Sequence, residues 1–192
     1  LKYSFKINEV IDLSYLENDQ CFLEGTGSLV LDRVNKILFA CLSSRTNYEA
    51  VKILSGIIGY RCVTFEAYSR SLPIYHTNVM LSLGEKMGFI CSEAILKKDL
   101  AKKVIALMDY GNRTIFEISI DQMNNFAGNV LELKNKDNEA ILIMSETAKK
   151  AFTEKQLNDI SSLAKIVSIP LNTIEKYGGG SARCMMAEIF LE

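Results

Sequence analysis

Residues 22–66 read FLEGTGSLVLDRVNKILFACLSSRTNYEAVKILSGIIGYRCVTFE, and the pattern of this stretch decides the fold. Apolar runs separated by turn-forming residues predict strands, and apolar residues at helical spacing predict a helix. The predicted elements are strands at 22–31 and 36–42, a helix at 47–58 and a strand at 61–66. Thr46 is the expected N-cap of the helix, and Gly59 is its expected stop. The stretch therefore predicts a strand–strand–helix–strand unit.

The same order of elements recurs along the chain with a period of roughly 53 residues. The predicted units span 22–66, 75–119, 128–169 and, as the start of a further unit, 182–192. The later units are predicted to contain helices at 97–108 and 153–165 and strands at 75–83, 87–91, 113–119, 128–134, 140–144, 165–169 and 182–191. No linker separates the units, so we expect one α/β domain over residues 1–192. A single small sheet cannot bury both of its faces, which predicts that the units pack together in a radial or closed array. The alternative is an ordinary α+β domain whose spacing agrees by chance.

Composition excludes several classes of partner. Lys and Arg number 22 against 23 Asp and Glu, which leaves a net charge of −1 and favours neither nucleic acid nor a membrane surface. No apolar run approaches the ~20 residues needed to cross a bilayer. The opening, LKYSFKINEV, has neither a signal-peptide pattern nor an initiator Met. We therefore expect a processed chain or a portion of a longer protein.

The cysteine pattern predicts free thiols. The chain has five cysteines and one histidine, with no Cys-x-x-Cys pair, so neither a zinc site nor a disulfide framework is indicated. This usage favours a reducing, cytoplasmic setting. Cys41, Cys62 and Cys91 lie within apolar runs and are expected to be small buried hydrophobic residues.

Four chemically useful residues fall at nearly the same place in successive units: Glu24, His76, Asn129 and Cys184. Units arranged around an axis would bring equivalent positions together at one end of that axis. An acid, an imidazole, an amide and a thiol in one pocket form a plausible catalytic set. Each residue also has an ordinary structural interpretation, namely core packing for the thiol and the imidazole and an exposed strand edge for Glu24.

Glycines flank two of these positions. The run Gly178-Gly179-Gly180 precedes Cys184, and Gly25 and Gly27 follow Glu24. Glycine is useful where the backbone turns with positive φ or passes close to a ligand. A flexible linker is the alternative for the triple glycine. A phosphate loop is not indicated, because no Lys-Ser/Thr pair follows.

The motifs resemble those of the guanidino-group-modifying (pentein) superfamily, which contains arginine deiminase, dimethylarginine dimethylaminohydrolase and the amidinotransferases. The carrying motifs are FLEGTG at 22–27, LSSRTN at 42–47, YHTNV at 75–79, GNVLEL at 128–133 and GGGSARCMM at 178–186. The resemblance covers essentially the whole chain and is closest to bacterial citrulline-utilisation hydrolases and amidinotransferase-like proteins. It implies an αβ-propeller of ββαβ units around a pseudo-fivefold axis. This chain supplies about three and a half of those units, as its C-terminal portion.

The resemblance also implies roles for individual residues. Cys184 matches the nucleophile, His76 the general acid/base, and Glu24 the acid that holds the substrate nitrogen and supports the histidine. Arg45 matches an arginine that binds the substrate carboxylate with its planar fork. The expected substrate-binding residues are Arg45, Asn78, Asn129 and Gly25. No metal or organic cofactor is implied.

Two departures from the deiminase pattern bear on the substrate. Deiminases have aspartates where this chain has Asn78 and Gly27. Losing both carboxylates favours a neutral ureido group, so the prediction is a hydrolase that cleaves the C–N bond of a citrulline-type amino acid. The alternatives are an arginine deiminase or amidinotransferase, and a non-catalytic propeller module. A papain-like hydrolase fits less well, because there the cysteine precedes the histidine. A homo-oligomer is left open.

Overall fold

The computed structural model describes residues 5–7 and 9–190 of the chain. Its architecture is mixed α/β and is dominated by three three-stranded sheets. In each sheet the first strand runs antiparallel to the second, and the second runs parallel to the third. A helical segment connects the second and third strands each time, as a parallel connection requires.

The first sheet and its helices lie within 25–65, preceded by a 3-10 turn at Ser14–Asp19. The elements are α1 (Gly25–Ser28), β1 (Leu29–Asp32), β2 (Ile37–Cys41), α2 (Tyr48–Ile58) and β3 (Arg61–Phe65). Helix α2 ends at Gly59, whose left-handed φ of 68° confirms the predicted stop. Strand β2 is buried along its whole length, because it is the central strand and is covered on both faces.

The second sheet follows a short hairpin. The elements are β4 (Tyr68–Ser69) and β5 (Leu72–Pro73) in the hairpin, then β6 (Leu81–Leu83), β7 (Met87–Ile90), α3 (Lys98–Met108) and β8 (Thr114–Glu117). Strand β7 is buried throughout. Helix α3 begins one residue after the predicted start at 97 and ends at the predicted residue, Met108.

The third sheet completes the described fold. Its elements and flanking helices are α4 (Ile120–Asn124), β9 (Leu131–Lys134), β10 (Ala140–Ser145), α5 (Glu146–Ala151), α6 (Glu154–Leu163), β11 (Lys165–Ile169) and α7 (Asn172–Gly178). Ser119 and Thr153 each close a capping box at the start of α4 and α6. The sequence pattern predicted α6 but neither α5 nor α7.

The first strands of the three sheets meet. Strand β1 lies against β6, and β6 lies against β9. The largest apolar cluster joins these strands through Val30, Leu81 and Val130, all at most 5% exposed. A smaller cluster beneath α2 includes Leu38 and Val51. The arrangement aligns the leading ends of β1, β6 and β9.

Three local predictions were wrong. The expected first strands at 22–31, 75–83 and 128–134 begin late, because short helical turns or bends occupy their leading residues. Side-chain hydroxyls there bond to the backbone and compete with a strand ladder. The strand expected over 182–191 is absent among residues 182–190, which contain a 3-10 turn and find no ladder partner.

The third error concerns the start of α2. The N-cap is Asn47, which keeps an extended backbone while its carbonyl accepts the N–H of Val51. Thr46 instead turns its hydroxyl inward and donates to Ser28 Oγ at 2.7 Å. Its side chain therefore contributes to a buried network rather than to the helix.

A buried ion pair joins the first two sheets. Arg113 donates two hydrogen bonds to the Asp32 carboxylate, at 2.8 and 3.1 Å. Both side chains are at most 5% exposed. Burial alone would raise the pKa of Asp32, but hydrogen bonds from Arg113 and Asn35 outweigh it and hold that pKa below its usual value. The pair fixes the β1–β2 turn on the start of β8.

No helix within the described ranges is both long and apolar enough to cross a lipid bilayer.

Replacing Arg113 with Met should destabilise the fold by about 3–5 kcal/mol, because it leaves the buried Asp32 carboxylate uncompensated. Urea unfolding at pH 7 measures this difference. Lys134→Met is the matched control, since it removes an exposed pair with Glu85 and should cost no more than about 1 kcal/mol.

The same comparison predicts a pH dependence. A carboxylate whose folded pKa is depressed contributes stability above its unfolded pKa of about 3.9 and loses that contribution as the pH falls. The gap between wild type and Arg113→Met should therefore narrow below about pH 4. A gap that stays constant down to pH 3 would contradict the role given to Asp32.

Candidate active site

The leading ends of the first strands carry the residues that the repeat singled out. Glu24 and His76 each precede a short helical turn, before β1 and β6 respectively. Asn129 precedes β9, and Cys184 lies in the 3-10 turn Arg183–Met185. Because β1, β6 and β9 are side by side, residues far apart in sequence come together here.

Glu24 and His76 form a direct pair. His76 Nε2 lies 2.7 Å from Glu24 Oε2. A carboxylate oxygen can only accept, so Nε2 carries the proton in this contact. Arg45 Nη1 approaches the same oxygen at 3.5 Å, and both Arg45 and Glu24 are about half exposed. The arrangement brings an acid, an imidazole and a guanidinium into one cluster.

Gly27 lies directly beneath the imidazole. A Cβ added at this position would fall 2.7 Å from His76 Nδ1 and 2.8 Å from Cε1. Such distances are shorter than van der Waals contact, so only glycine allows the ring to occupy this place. The absence of a side chain at Gly27 thus has a packing cause in addition to the charge argument made from the sequence.

Cys184 is exposed and receives amide donors from two other units. Asn129 Nδ2 lies 3.0 Å from Sγ, and Asn78 Nδ2 lies 3.5 Å from it. Asn129 also accepts the Cys184 N–H at 3.3 Å and donates to the Asn78 carbonyl at 2.9 Å. Two side-chain N–H donors from separate units thus converge on the Cys184 sulfur.

Asn78 has an unsatisfied acceptor. The side chain is almost completely buried, and its Oδ1 has no hydrogen-bond partner among the described residues. A buried carbonyl without a partner is costly, so the orientation of this amide is held at the expense of one hydrogen bond. The open acceptor lies on the amide that also donates to the Cys184 sulfur.

A buried hydroxyl network supports the site, and the sequence pattern did not reveal it. Ser28 Oγ accepts from the Glu24 N–H and from Thr46, and donates to the Arg45 carbonyl. Thr77 donates to the Ser28 carbonyl and accepts from the Cys41 N–H. Ser28, Thr46 and Thr77 are at most 1% exposed. These bonds fix the backbone on which Glu24, Arg45 and His76 are carried.

The glycine-rich segment ends one helix and shapes the turn that carries Cys184. Gly179 has a left-handed φ of 69° and terminates α7. A Cβ added at Gly180 would lie 3.0 Å from both Cβ and Sγ of Cys184, so glycine permits the close approach of this backbone to the thiol. These positions are part of ordered structure, which excludes the flexible-linker interpretation.

Glu175 anchors the same segment. Its two carboxylate oxygens accept from the hydroxyls of Thr147, at 2.6 Å, and Ser181, at 2.7 Å. Burial would raise the pKa of Glu175, but hydrogen bonds from Ser145, Thr147 and Ser181 outweigh it and lower that pKa. The buried Ser181 in turn accepts the Cys184 N–H through its carbonyl. No sequence pattern indicated this role for Glu175.

The remaining thiols differ from Cys184. Cys41 and Cys91 are fully buried, and burial raises the pKa of each to about 12. Both are therefore unreactive packing residues, as predicted, whereas Cys62 is only partly buried. No group of three or more His, Cys, Asp or Glu side chains in the described part of the chain could hold a metal ion.

The predicted residues thus form two adjacent groups. Glu24, His76 and Arg45 make one, and Cys184, Asn129 and Asn78 make the other. No hydrogen bond joins His76 to Cys184 in the described residues. Gly25 has a positive φ of 50° and, with Arg183, lines a cavity of about 160 Å³. A substrate contact at Gly25 stays a prediction.

Known proteins share this fold. The chain superimposes on ArgZ, an arginine dihydrolase from cyanobacteria, with a TM-score of 0.66 and 18% identity. It also superimposes on AgrE with ornithine and NAD+ (0.63, 16%) and on agmatine deiminase from C. jejuni (0.53, 15%). The matches cover 93%, 88% and 90% of this chain, but only 29%, 24% and 57% of those chains. At such identities the likeness shows the fold alone.

The family model and the shared fold place the chain in the guanidino-group-modifying (pentein) superfamily, which confirms the resemblance seen in the sequence motifs. The model of the family "N,N dimethylarginine dimethylhydrolase, eukaryotic" matches residues 1–191, and the chain belongs to that family. No curated protein matches the chain in sequence.

Replacing Gly27 with Ala should displace the imidazole from Glu24, because the added Cβ would overlap the ring. The single histidine makes this measurable by NMR, and we expect its ring resonances and their titration to change. Gly56→Ala is the matched control, since Gly56 is exposed in α2 with nothing within 4 Å of an added Cβ. It should leave the resonances unchanged and stabilise the helix by roughly 0.5–1 kcal/mol. Unchanged His76 resonances in Gly27→Ala would refute the packing role of Gly27.

Proposed function

We propose that this chain carries the catalytic centre of a cysteine-dependent hydrolase that cleaves a C–N bond of a citrulline-type ureido amino acid. The observation that carries the proposal is the meeting of the Glu24–His76 pair with a thiol that two amides contact. A relative of the same fold supports the covalent part of the proposal: the N-terminal domain of ArgZ has been captured covalently bound to a reaction intermediate.

In the first step the Cys184 thiolate attacks the ureido carbon. The N–H donors of Asn129 and Asn78 stabilise the sulfur anion before attack. A substrate nitrogen that binds Glu24 lies beside His76 Nε2. In its imidazolium form His76 can then protonate the departing amine as the C–N bond breaks, which leaves a neutral imidazole. The products of this half-reaction are free ornithine and a carbamoyl group on sulfur.

In the second step water displaces the carbamoyl group. His76 has lost its proton to the amine, so it can act as the base that activates water. The carbamic acid that leaves decomposes to carbon dioxide and ammonia, and the thiolate is restored. Neither half-reaction requires His76 to bond to Cys184, since the substrate carbon and its leaving nitrogen lie between them. This agrees with the separate positions of the two groups.

The substrate carboxylate is assigned to Arg45. Its guanidinium makes a long contact with Glu24 and remains half exposed, so it can turn toward an anionic ligand. A planar guanidinium meets a carboxylate with two parallel hydrogen bonds. Binding of substrate would then release Glu24 from Arg45 and leave that carboxylate for the ureido nitrogen.

Charge supports a ureido group over a guanidinium. Asn78 offers a neutral acceptor where deiminases have a carboxylate, and Gly27 has no room for a side chain beneath His76. Only Glu24 is left as an acid in the described groups around the site. One carboxylate, already shared with Arg45 and His76, neutralises a cationic substrate poorly.

A guanidino substrate is the second candidate, for a deiminase or amidinotransferase reaction. It is favoured by the relatives, since ArgZ is an arginine dihydrolase and AgrE has been solved with L-arginine. The same cysteine chemistry applies, with ammonia or the amine leaving from a guanidinium carbon.

The proposal extends to the assembly. The chain spans 29% of ArgZ, so further units of a pseudo-fivefold αβ-propeller, beyond the three sheets described, would complete the site.

We assign the protein to the cytoplasm because the five free thiols are typical of a reducing compartment. The ligand is a small amino acid, and neither nucleic acid nor a membrane is expected as a partner. Homo-oligomerisation is compatible with this function but not required by it.

A substrate screen tests the proposal. The full-length protein is incubated with citrulline, arginine, agmatine or dimethylarginine, and ornithine, citrulline and ammonia are measured. We expect ornithine from citrulline, and no product from the Cys184→Ala variant. Citrulline from arginine would instead establish the guanidino alternative. No turnover of any of the four would refute the hydrolase proposal.

Asn78→Asp sharpens the screen. A carboxylate hydrogen-bonded to a guanidinium is worth about 1.5–3 kcal/mol, so kcat/KM for arginine relative to citrulline should rise about tenfold or more. Asn158→Asp adds the same charge at an exposed position on α6 and should leave the ratio unchanged. An unaltered ratio in Asn78→Asp would show that Asn78 does not determine the preference between arginine and citrulline.

Arg45→Ala should raise KM for citrulline by about 10- to 100-fold, because one charged hydrogen-bonded pair with the carboxylate is lost. The decarboxylated analogue of citrulline should be affected much less. Arg61→Ala, at an exposed position on β3, is the control for removing a guanidinium. Equal effects on both substrates would exclude the carboxylate role.

A further inference from the structure

Tyr75 lies between the two groups of the site, and the sequence motifs gave it no role. Its ring is 4.9 Å from the His76 ring, centroid to centroid, and the Arg45 guanidinium lies 5.2 Å from the Tyr75 ring centroid. Its hydroxyl donates to the carbonyl of Gly179 at 2.6 Å. Its own carbonyl accepts from Ser43 Oγ at 2.7 Å, which holds the backbone on the Arg45 loop.

The hydrogen bond of the Tyr75 hydroxyl joins the segment of His76 to the segment of Cys184. His76 follows Tyr75 directly, whereas Gly179 begins the turn that carries Cys184. Two side chains within residues 75–78, the segment that contains His76, contact that turn. Tyr75 bonds to Gly179, and Asn78 makes a longer contact of 3.5 Å with Cys184. The Tyr75 bond is therefore the shorter of the two.

The titration of the phenol agrees with this geometry. Burial raises the pKa of Tyr75, the negative charge of Cys184 raises it further, and Arg45 opposes both effects. The phenol is thus close enough to Cys184 for a negative charge there to raise the phenol pKa. Because its pKa is raised, the hydroxyl stays protonated near neutral pH and can donate a hydrogen bond. Only a neutral phenol can donate to the Gly179 carbonyl.

We propose that Tyr75 is a positioning residue with two separable parts: the hydroxyl latches the nucleophile segment 178–184 to the His76 segment, and the ring holds Arg45 for the substrate carboxylate. This inference rests on the proposed function. The phenol acts through Cys184, His76 and Arg45 and does not touch the reacting atoms.

The two parts predict different kinetic effects. Losing the hydroxyl loosens Cys184 relative to His76, and their relation matters most in the transition state, so kcat falls. Losing the ring as well frees Arg45, which binds the carboxylate equally in ground state and transition state, so KM rises. A tyrosine that only stabilised the fold would not divide its effects in this way.

The kinetic test compares Tyr75→Phe, Tyr75→Leu and the control Tyr177→Phe in the full-length protein. Tyr75→Phe should lower kcat about 5- to 10-fold with KM changed less than about twofold, as expected for one hydrogen bond. Tyr75→Leu should in addition raise KM about fivefold for citrulline, but not for its decarboxylated analogue. Tyr177 is 77% exposed, and its variant should match wild type. Equal kcat in Tyr75→Phe and wild type would overturn the proposal.

A second measurement does not depend on the substrate. Hydrogen exchange of the amides in 178–186 should be about fivefold faster in Tyr75→Phe than in wild type, and unchanged in Tyr177→Phe. Faster exchange without any turnover would leave the latch intact and refute the proposed function. Unchanged exchange would refute the latch, even if the enzyme hydrolyses citrulline.

Discussion

The first strands β1, β6 and β9 must pack against one another, because each sheet has only three short strands and cannot bury its apolar side chains alone. Val30, Leu81 and Val130 meet for this reason in one core. Because these strands lie side by side, the residues that directly precede them are brought close together. The convergence of Glu24, His76 and Asn129 at one end of these strands is therefore a consequence of apolar packing.

Hydrogen bonds between hydroxyl side chains and the backbone, rather than strand ladders, hold the residues at this end of the strands. Ser28 and Thr77 satisfy backbone groups that a ladder would otherwise pair, and this turns Glu24 and His76 toward each other. Buried hydroxyl networks of this kind are stiff because every unmade bond would be costly. Gly27 and Gly180 lack side chains at the two positions where a Cβ would overlap the imidazole and crowd the thiol.

The sequence predicted the order of the strands in the three sheets and of the three longer helices, α2, α3 and α6, because apolar periodicity and stop signals such as Gly59 are local. The register of the repeat predicted that Glu24, His76 and Cys184 share one end of the fold. The sequence could not reveal Glu175, whose role exists only through hydroxyls brought to it by folding. The inward turn of Thr46 was missed for the same reason, since a cap and a buried donor look alike in sequence.

The central claim is that Cys184 forms a covalent bond to the substrate carbon within this cluster. Rapid acid quenching of the full-length enzyme with citrulline, followed by mass spectrometry of the peptide containing Cys184, tests it most directly. The account predicts a carbamoyl adduct on Cys184 during turnover by the wild type, and no adduct at this peptide in Cys184→Ala. Turnover by wild type without any adduct, together with turnover by Cys184→Ser, would contradict it.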